Sequence, residues 1–256
     1  MKIQKISREN LKVKIFETRS AMGTDAAETI SKKIRELLEE KEYINIVFAA
    51  APSQNDFLAS LKENNIEWSR INAFHMDEYV GLDKNAPQLF GNYLKDQLFD
   101  KVPFKEVFYI NGGAENLDKE CQRYSELLKN NPTDIVILGI GENTHIAFND
   151  PHVADFKDPK VVKVVDLDEK NRNQQVDTED EICFKTIDQV PTHAITLTVP
   201  ALFKAMYAYA IAPGQNKAEA IAHTLNDPIQ ENYPSTILRK HPNAVLYIDK
   251  DSAAKI

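Results

Sequence analysis

The sequence predicts an α/β fold, a mostly parallel β-sheet with helices on both faces, in a single domain over residues 1–256. Three observations predict it. Short apolar runs at 44–50 and 133–138 carry little polar alternation, the habit of strands buried on both faces of a parallel sheet. Segments with helical periodicity lie between such runs, so strands and helices alternate and the connections are right-handed crossovers. A length of 256 residues buries one large core, and α/β domains of this size are often undivided.

The elements follow in order. The first clear helix spans about 24–41, capped by Thr24, with Asp25 at its positive end and Ala27, Ile30, Ile34 and Leu37 on one face. A central strand at 44–50 breaks at Pro52-Ser53, and Ser53-Gln54-Asn55-Asp56 opens a second helix with an S-x-x-D capping pattern. A strand at 71–76 runs into Asp77-Glu78-Tyr79-Val80-Gly81-Leu82. Helices at 87–99 and 116–129 lead to the strand at 133–138, whose end Gly139 and Gly141 release. Strand-like 161–165 precedes a polar stretch at 166–181. Strands at 193–199 and 208–212, a helix at 215–225 and a last strand at 245–249 complete the alternation.

A net charge of −8 and a pI near 5.3 argue against nucleic acid or an anionic membrane surface as the main partner. No apolar run approaches the roughly 20 residues that cross a bilayer. Residues 1–6 lack the apolar core of a signal peptide, so a cytoplasmic location is expected. Cys121 and Cys183 stand in no metal spacing and are expected to be reduced. His75, His152, His193, His223 and His241 show no ligand spacing either, so no metal site is expected. Gly139-x-Gly141 lacks the third glycine of a dinucleotide fingerprint and lies mid-chain.

Chemistry concentrates at three strand ends. Ser53 sits where a strand passes into a helix. Its hydroxyl and the nearby backbone N–H groups either hold an anion such as phosphate or serve only as a cap. Lys217 falls in the first turn of the 215–225 helix, where a cation meets the positive end of the dipole. An anion bound there offsets that penalty; a solvated lysine on a helix face is the alternative. Asp77 and Glu78 are adjacent carboxylates whose repulsion raises one pKa, as suits a general base, unless they are turn residues pointing apart. His145 is the natural acid–base partner, because imidazole as a side chain titrates near neutrality, and Asp150 could orient it if the chain curls back.

These residues resemble a known family. Phe74-His75-Met76-Asp77-Glu78-Tyr79-Val80-Gly81-Leu82, with Gly139-Ile140-Gly141-Glu142-Asn143-Thr144-His145-Ile146-Ala147-Phe148-Asn149-Asp150-Pro151, is similar to the glucosamine-6-phosphate deaminases, which group with the 6-phosphogluconolactonases. The likeness extends to Gly214-Gln215-Asn216-Lys217-Ala218 and to Ser235-Thr236-Ile237-Leu238 with His241-Pro242, covering most of the chain from 44 to 249. The run from His145 to Asn149 resembles the deaminase branch. The resemblance implies a Rossmann-like sheet with no cofactor. It implies ring opening of an amino-sugar phosphate, a proton shuttle from C2 to C1, and release of ammonia to leave fructose 6-phosphate. Asp77 is the implied base of that shuttle, His145 the ring-opening acid–base, and Lys217 a phosphate ligand. Asp150 and Asn143 complete the expected catalytic set. Ser53, Gln54, Glu78, Gly141, Arg172, Gln175 and Lys217 are the expected substrate contacts. A phosphorylated sugar is the expected partner, without nucleic acid or membrane, and a homo-oligomer is allowed.

The chain departs from that pattern at named positions. Asn143 stands where the deaminases carry aspartate, and Asp150 where they carry glutamate. An amide still hydrogen-bonds but cannot stabilise an imidazolium by charge. Glu142 is the neighbouring acid, yet successive side chains point apart. Thr144 replaces a glycine, so a positive φ is not expected there. The glycine-rich phosphate loop has become Ala50-Ala51-Pro52-Ser53-Gln54. A phosphate-binding arginine aligns near Gln175, with Arg172 about one turn away.

Three functions compete. An isomerase-deaminase of amino-sugar phosphates leads; a sugar-phosphate lactonase, needing a general base and an activated water, is second. The third is a non-catalytic sugar-phosphate sensor. Only about 23 residues precede the first predicted helix, too few for a helix-turn-helix, which disfavours it.

Overall fold

The computed structural model describes residues 2–177 and 183–256, with side chains from residue 4 onward. The chain opens on two strands that apolar runs do not announce. β1 (Lys2–Arg8) and β2 (Leu11–Phe16) form an antiparallel hairpin. In β2, buried Leu11, Val13 and Ile15 alternate with lysines, a two-residue period that suits a strand with one wet face.

α1 (Arg19–Glu40) begins at Arg19 rather than Thr24. Thr18 is its cap, its hydroxyl accepting from the Ala21 N–H at 3.2 Å. Met22 and Gly23 extend the buried stripe back beyond Thr24, whose hydroxyl instead turns to the Ser20 carbonyl inside the helix. β3 (Ile44–Phe48) follows, then a 3₁₀ turn, Pro52–Gln54, and α2 (Asn55–Lys62). β4 (Ile71–His75) leads through Met76 alone into β5 (Asp77–Tyr79). α3 (Phe90–Leu94) continues as a π turn, Lys95–Phe99, before β6 (Glu106–Phe108). α4 (Leu117–Asn130) is capped by Asn116, and β7 (Ile135–Leu138) is the buried run expected there. β8 (Val162–Asp166), α5 (Glu169–Gln174), β9 (His193–Leu197) and α6 (Val199–Phe203) come next. β10 (Tyr207–Ile211), a 3₁₀ turn Gln215–Lys217, α7 (Ala218–Asn226) and β11 (Ala244–Asp249) complete the chain. Of the polar stretch expected at 166–181, residues up to 177 include α5, and 178–181 lie outside the described residues.

Eight strands form one sheet in the order β1-β2-β11-β10-β7-β3-β4-β6, parallel except for the β1–β2 hairpin. Alternate residues of the central strands feed two cores. Val136 and Leu138 pack with Tyr124, Leu202 and Ile221 on one face; Ile135 and Ile137 pack with Ile30, Ile34, Phe57 and Leu61 on the other. Helices therefore cover both faces, as a parallel sheet requires. Among the described residues no helix is long and apolar enough to cross a membrane.

Two expected strands lie elsewhere. β8 and β9 join β5 in a separate antiparallel sheet, ordered β5-β9-β8. A single residue between β4 and β5 is too short for a parallel crossover, so the chain leaves the large sheet at Met76 and recruits antiparallel partners. In the large sheet, β3, β4 and β6 run outward to one side, and the chain then returns to place β7 on the other side of β3. The connections diverge between β3 and β7, leaving a crevice outside their carboxyl ends.

Candidate active site

A cavity of about 320 Å³ occupies that crevice. Ala49 to Ser53 beyond β3 and Gly139 to Gly141 beyond β7 form two of its walls. Asp77 enters from the start of the small sheet, His145 and Phe148 from the loop after β7, and Lys217 from the turn before α7. Gln174 and Gln175 reach it from the end of α5, and Arg19 from the first turn of α1.

Asp77 is 6% exposed. Burial, and then the neighbouring Glu78 charge, holds its carboxyl well above the ordinary carboxylate range. Its backbone is pinned by His75. That imidazole accepts the Ile110 N–H on Nε2, so Nδ1 carries the proton donated to the Asp77 carbonyl at 2.9 Å. Burial lowers the His75 pKa to about 4, so the ring stays neutral.

Glu78 takes the opposite face, as strand alternation requires. It accepts the N–H groups of Tyr79, Phe90 and Gly91, each at 2.9 Å, and fastens the start of α3. It does not line the cavity, unlike Asp77. Burial raises it to about 7 against those three hydrogen bonds. Burial, more than mutual repulsion, therefore moves both carboxyls.

The loop after β7 is built around His145. The Gly141 N–H donates to the His145 carbonyl and the Thr144 N–H to the Gly141 carbonyl, both at 2.9 Å. A Cβ on Gly141 would sit 2.1 Å from His145 Cε1, so glycine there makes room for the imidazole, and its φ is not positive. Thr144, contrary to expectation, has φ +70, and its hydroxyl is buried with no hydrogen-bond partner among the described residues. Its conformation is imposed from outside. The Thr144 carbonyl accepts from Ser235, and Asn149 ties the loop to the Ile146 and Leu197 carbonyls.

Behind His145 the chain does curl back. Nδ1 lies 2.5 Å from Asn143 Oδ1 and 3.3 Å from Asp150 Oδ1. Asp150 is fully buried. It accepts from the side chains of Asn143 and Asn171 and from the Asp168 N–H. Burial alone would raise it; the His145 and Asn143 hydrogen bonds bring its pKa below the ordinary value. Glu142 turns outward and accepts from Asn216.

The anion-binding expectations divide. Ser53 lines the cavity from the 3₁₀ turn. Gln54 does not: it is fully buried, and its amide donates to the Ile211 carbonyl and to Ser53 Oγ. Lys217 is 6% exposed, and its ammonium has no hydrogen-bond partner among the described residues. Its pKa falls to about 8, chiefly through burial and only partly restored by Glu142. It ends a 3₁₀ turn and stands as the N-cap residue of α7, at the positive end of that helix, and desolvation adds to the dipole penalty expected there. Arg172 is turned away, its guanidinium donating to the Ile187 and Val190 carbonyls. Gln175 lines the cavity and Arg172 does not.

Sequence reasoning missed Arg19. Its Nε donates to Asp56 at 2.6 Å and one terminal nitrogen to the Pro52 carbonyl at 3.1 Å, laying the guanidinium over the Ser53 turn. Gly23 permits this: a Cβ there would meet the Asp56 backbone at 2.8 Å, so glycine lets α1 and α2 approach closely. The signal was Thr18, an unused capping residue one position before Arg19. Asp168 and Asn171 were also missed, inside a stretch read as merely polar, although Asp168 caps α5.

Fold and cavity define a Rossmann-like α/β protein with a buried carboxyl, a histidine and a buried cation at its sheet switch point. The chain belongs to the family of glucosamine-6-phosphate isomerases and 6-phosphogluconolactonases, which matches residues 17–247. Glucosamine-6-phosphate deaminases of Bacillus cereus and Bacillus thuringiensis are each 35% identical over 228 residues, covering 89% of this chain and 84% of the relative. Among solved structures, a monomeric glucosamine-6-phosphate deaminase superposes with a TM-score of 0.85 at 28% identity, covering 95% of this chain and 99% of the other. A 6-phosphogluconolactonase from Thermotoga maritima shares the fold, with a TM-score of 0.73 at 23% identity over 93% of this chain and 99% of that one.

Proposed function

We propose that this protein deaminates and isomerises glucosamine 6-phosphate, consuming one water to yield fructose 6-phosphate and ammonia. One observation carries the reading: Asp77, His145 and Lys217 line one cavity, as a proton-shuttle base, a ring-opening acid–base and a phosphate ligand require. The substrate's phosphate supplies the counter-charge that buried Lys217 lacks, with Ser53 and Arg19 beside it. The substrate's ammonium favours the ionised form of Asp77, whose carboxylate then takes the C2 proton and returns it at C1. His145 holds its Nδ1 proton on Asn143, so the proton transfer that opens the ring runs through Nε2.

The test is ammonia release from glucosamine 6-phosphate by the purified protein, beside acid release from a phosphorylated sugar lactone. Ammonia without lactone hydrolysis is expected. Lactone hydrolysis without ammonia would replace this reading with a lactonase.

A further inference from the structure

We propose that Asp168 is a positioning residue for His145, acting through the Asn143 amide, so that the negative charge absent from position 143 is supplied one hydrogen bond further out. The proposal rests on His145 as the acid–base group of the reaction above. The Asn143 amide nitrogen has two protons, and both are committed to carboxylates: Asp150 Oδ1 at 3.0 Å and Asp168 Oδ2 at 2.9 Å. Its oxygen therefore faces the other way, accepting from the His145 backbone N–H at 3.2 Å and from Nδ1 at 2.5 Å. The reversed amide would set its oxygen against two carboxylate oxygens and its NH₂ against the His145 backbone N–H. Two acids thus choose the amide's orientation. The amide chooses the imidazole tautomer, with the proton on Nδ1 and Nε2 left for substrate.

Asp168 is itself held. As the cap of α5 it accepts the Asn171 N–H on Oδ1 at 2.6 Å, while its own N–H donates to Asp150 Oδ2 at 3.2 Å. Oδ2 is thereby aimed at Asn143. Asn171 also donates to Asp150 Oδ1 at 2.8 Å, so α5 braces both acids. An aspartate at 143 in this frame would press a third carboxylate against the two already there. It fits only if position 168 becomes a donor. Asn143 and Asp168 are then the two halves of a transposed charge.

Three variants decide it: Asn143→Asp, Asp168→Asn and the double exchange. Asn143→Asp should lower kcat for ammonia release by about 10- to 100-fold, the scale of lost support behind an active group, with KM within about threefold. Asp168→Asn alone should lower kcat less, because its amide oxygen still accepts from Asn143. Added to Asn143→Asp it should instead restore kcat, by about tenfold or more, since the amide placed at position 168 then donates to the new carboxylate. The ¹⁵N spectrum of the His145 ring, identified by its loss in His145→Gln, should show the Nδ1–H tautomer in the wild type and in the double variant. It should show a mixture in Asn143→Asp, where repulsion from Asp150 and Asp168 drives the new carboxylate away from Nδ1. A double variant no more active than Asn143→Asp, or a ring signal that is the same in Asn143→Asp and in the double variant, overturns the proposal. Should the wild type release no ammonia, the deaminase reading fails on that result, and the ring spectra alone decide the role of Asp168.

Discussion

Asp77 and Lys217 are titratable groups withdrawn from water on the walls of one cavity, and burial moves their pKa values in opposite directions. The sign of the Lys217 effect is open to measurement. Its pKa is about 8 in the folded chain, below the ordinary value of about 10.4. The folded state binds that proton more weakly, so Lys217 destabilises the unliganded protein below pH 8. The penalty fades as pH rises from about 8 toward 10.4. Lys217→Met should raise the urea midpoint at pH 7 and lose that advantage near pH 10. In the wild type, KM for the sugar phosphate should rise above pH 8 as the ammonium is lost, and the variant should lack that limb. An identical pH course in both proteins would remove Lys217 from the anion site. Thr144 makes a second prediction at this scale. A β-branched residue at φ +70, its hydroxyl unpaired among the described residues, is strained by about 1–3 kcal/mol. Thr144→Gly relieves both at some cost in chain entropy, so it should stabilise the fold by about 1 kcal/mol with kcat little changed. A lower denaturation midpoint would show that the loop needs the threonine methyl.

The loop from Gly139 to Asn149 works as one element. Its shape is imposed by the Ser235 N–H, by Asn149 bridging to β9, and by Thr196, whose hydroxyl accepts the Phe148 N–H. Gly141 is where backbone and the His145 ring touch. Gly141→Ala places a methyl group in the imidazole plane's space and must expel the ring. We expect kcat to fall about 10²–10⁴-fold, the range for a lost acid–base group, while the far-ultraviolet circular dichroism stays that of the wild type. Wild-type turnover in Gly141→Ala would mean that His145 works from another position. The small antiparallel sheet plays the complementary part. It begins at Asp77, and its strand alternation sends Asp77 to the cavity and Glu78 to the N–H groups of α3. Two adjacent acids thus acquire different tasks from a single change of face.

At the scale of the whole molecule, the large sheet was legible because its strands are buried on both faces and write themselves as apolar runs. Thr133 to Leu138 and the start of the loop beyond it were plain for that reason. The hairpin of β1 and β2 was not, because one wet face dilutes its pattern with lysines. That β8 and β9 belong to a second sheet could not be read, since strand periodicity carries no information about the partner. The site divides along the same line. Asp77, His145 and Lys217, candidates by residue type at strand ends, come together on one cavity, with Asp150 behind His145. Arg172 and Glu78 looked equally suitable, and only the fold shows them spent on backbone carbonyls and backbone N–H groups. Arg19 and Asp168 depended on helix starts, at Thr18 and at Asp168 itself, that tertiary packing decided.

The proposed reaction turns on Asp77 as the base that moves the C2 proton. It is tested most directly by measuring turnover and binding together in Asp77→Asn. The change preserves size and removes only the ionisable group, on a strand start pinned by the His75 hydrogen bond. Ammonia release should fall by about 10²–10⁴-fold, while calorimetric affinity for the sugar phosphate stays within a few-fold of the wild type. Turnover close to wild type in Asp77→Asn would contradict the account.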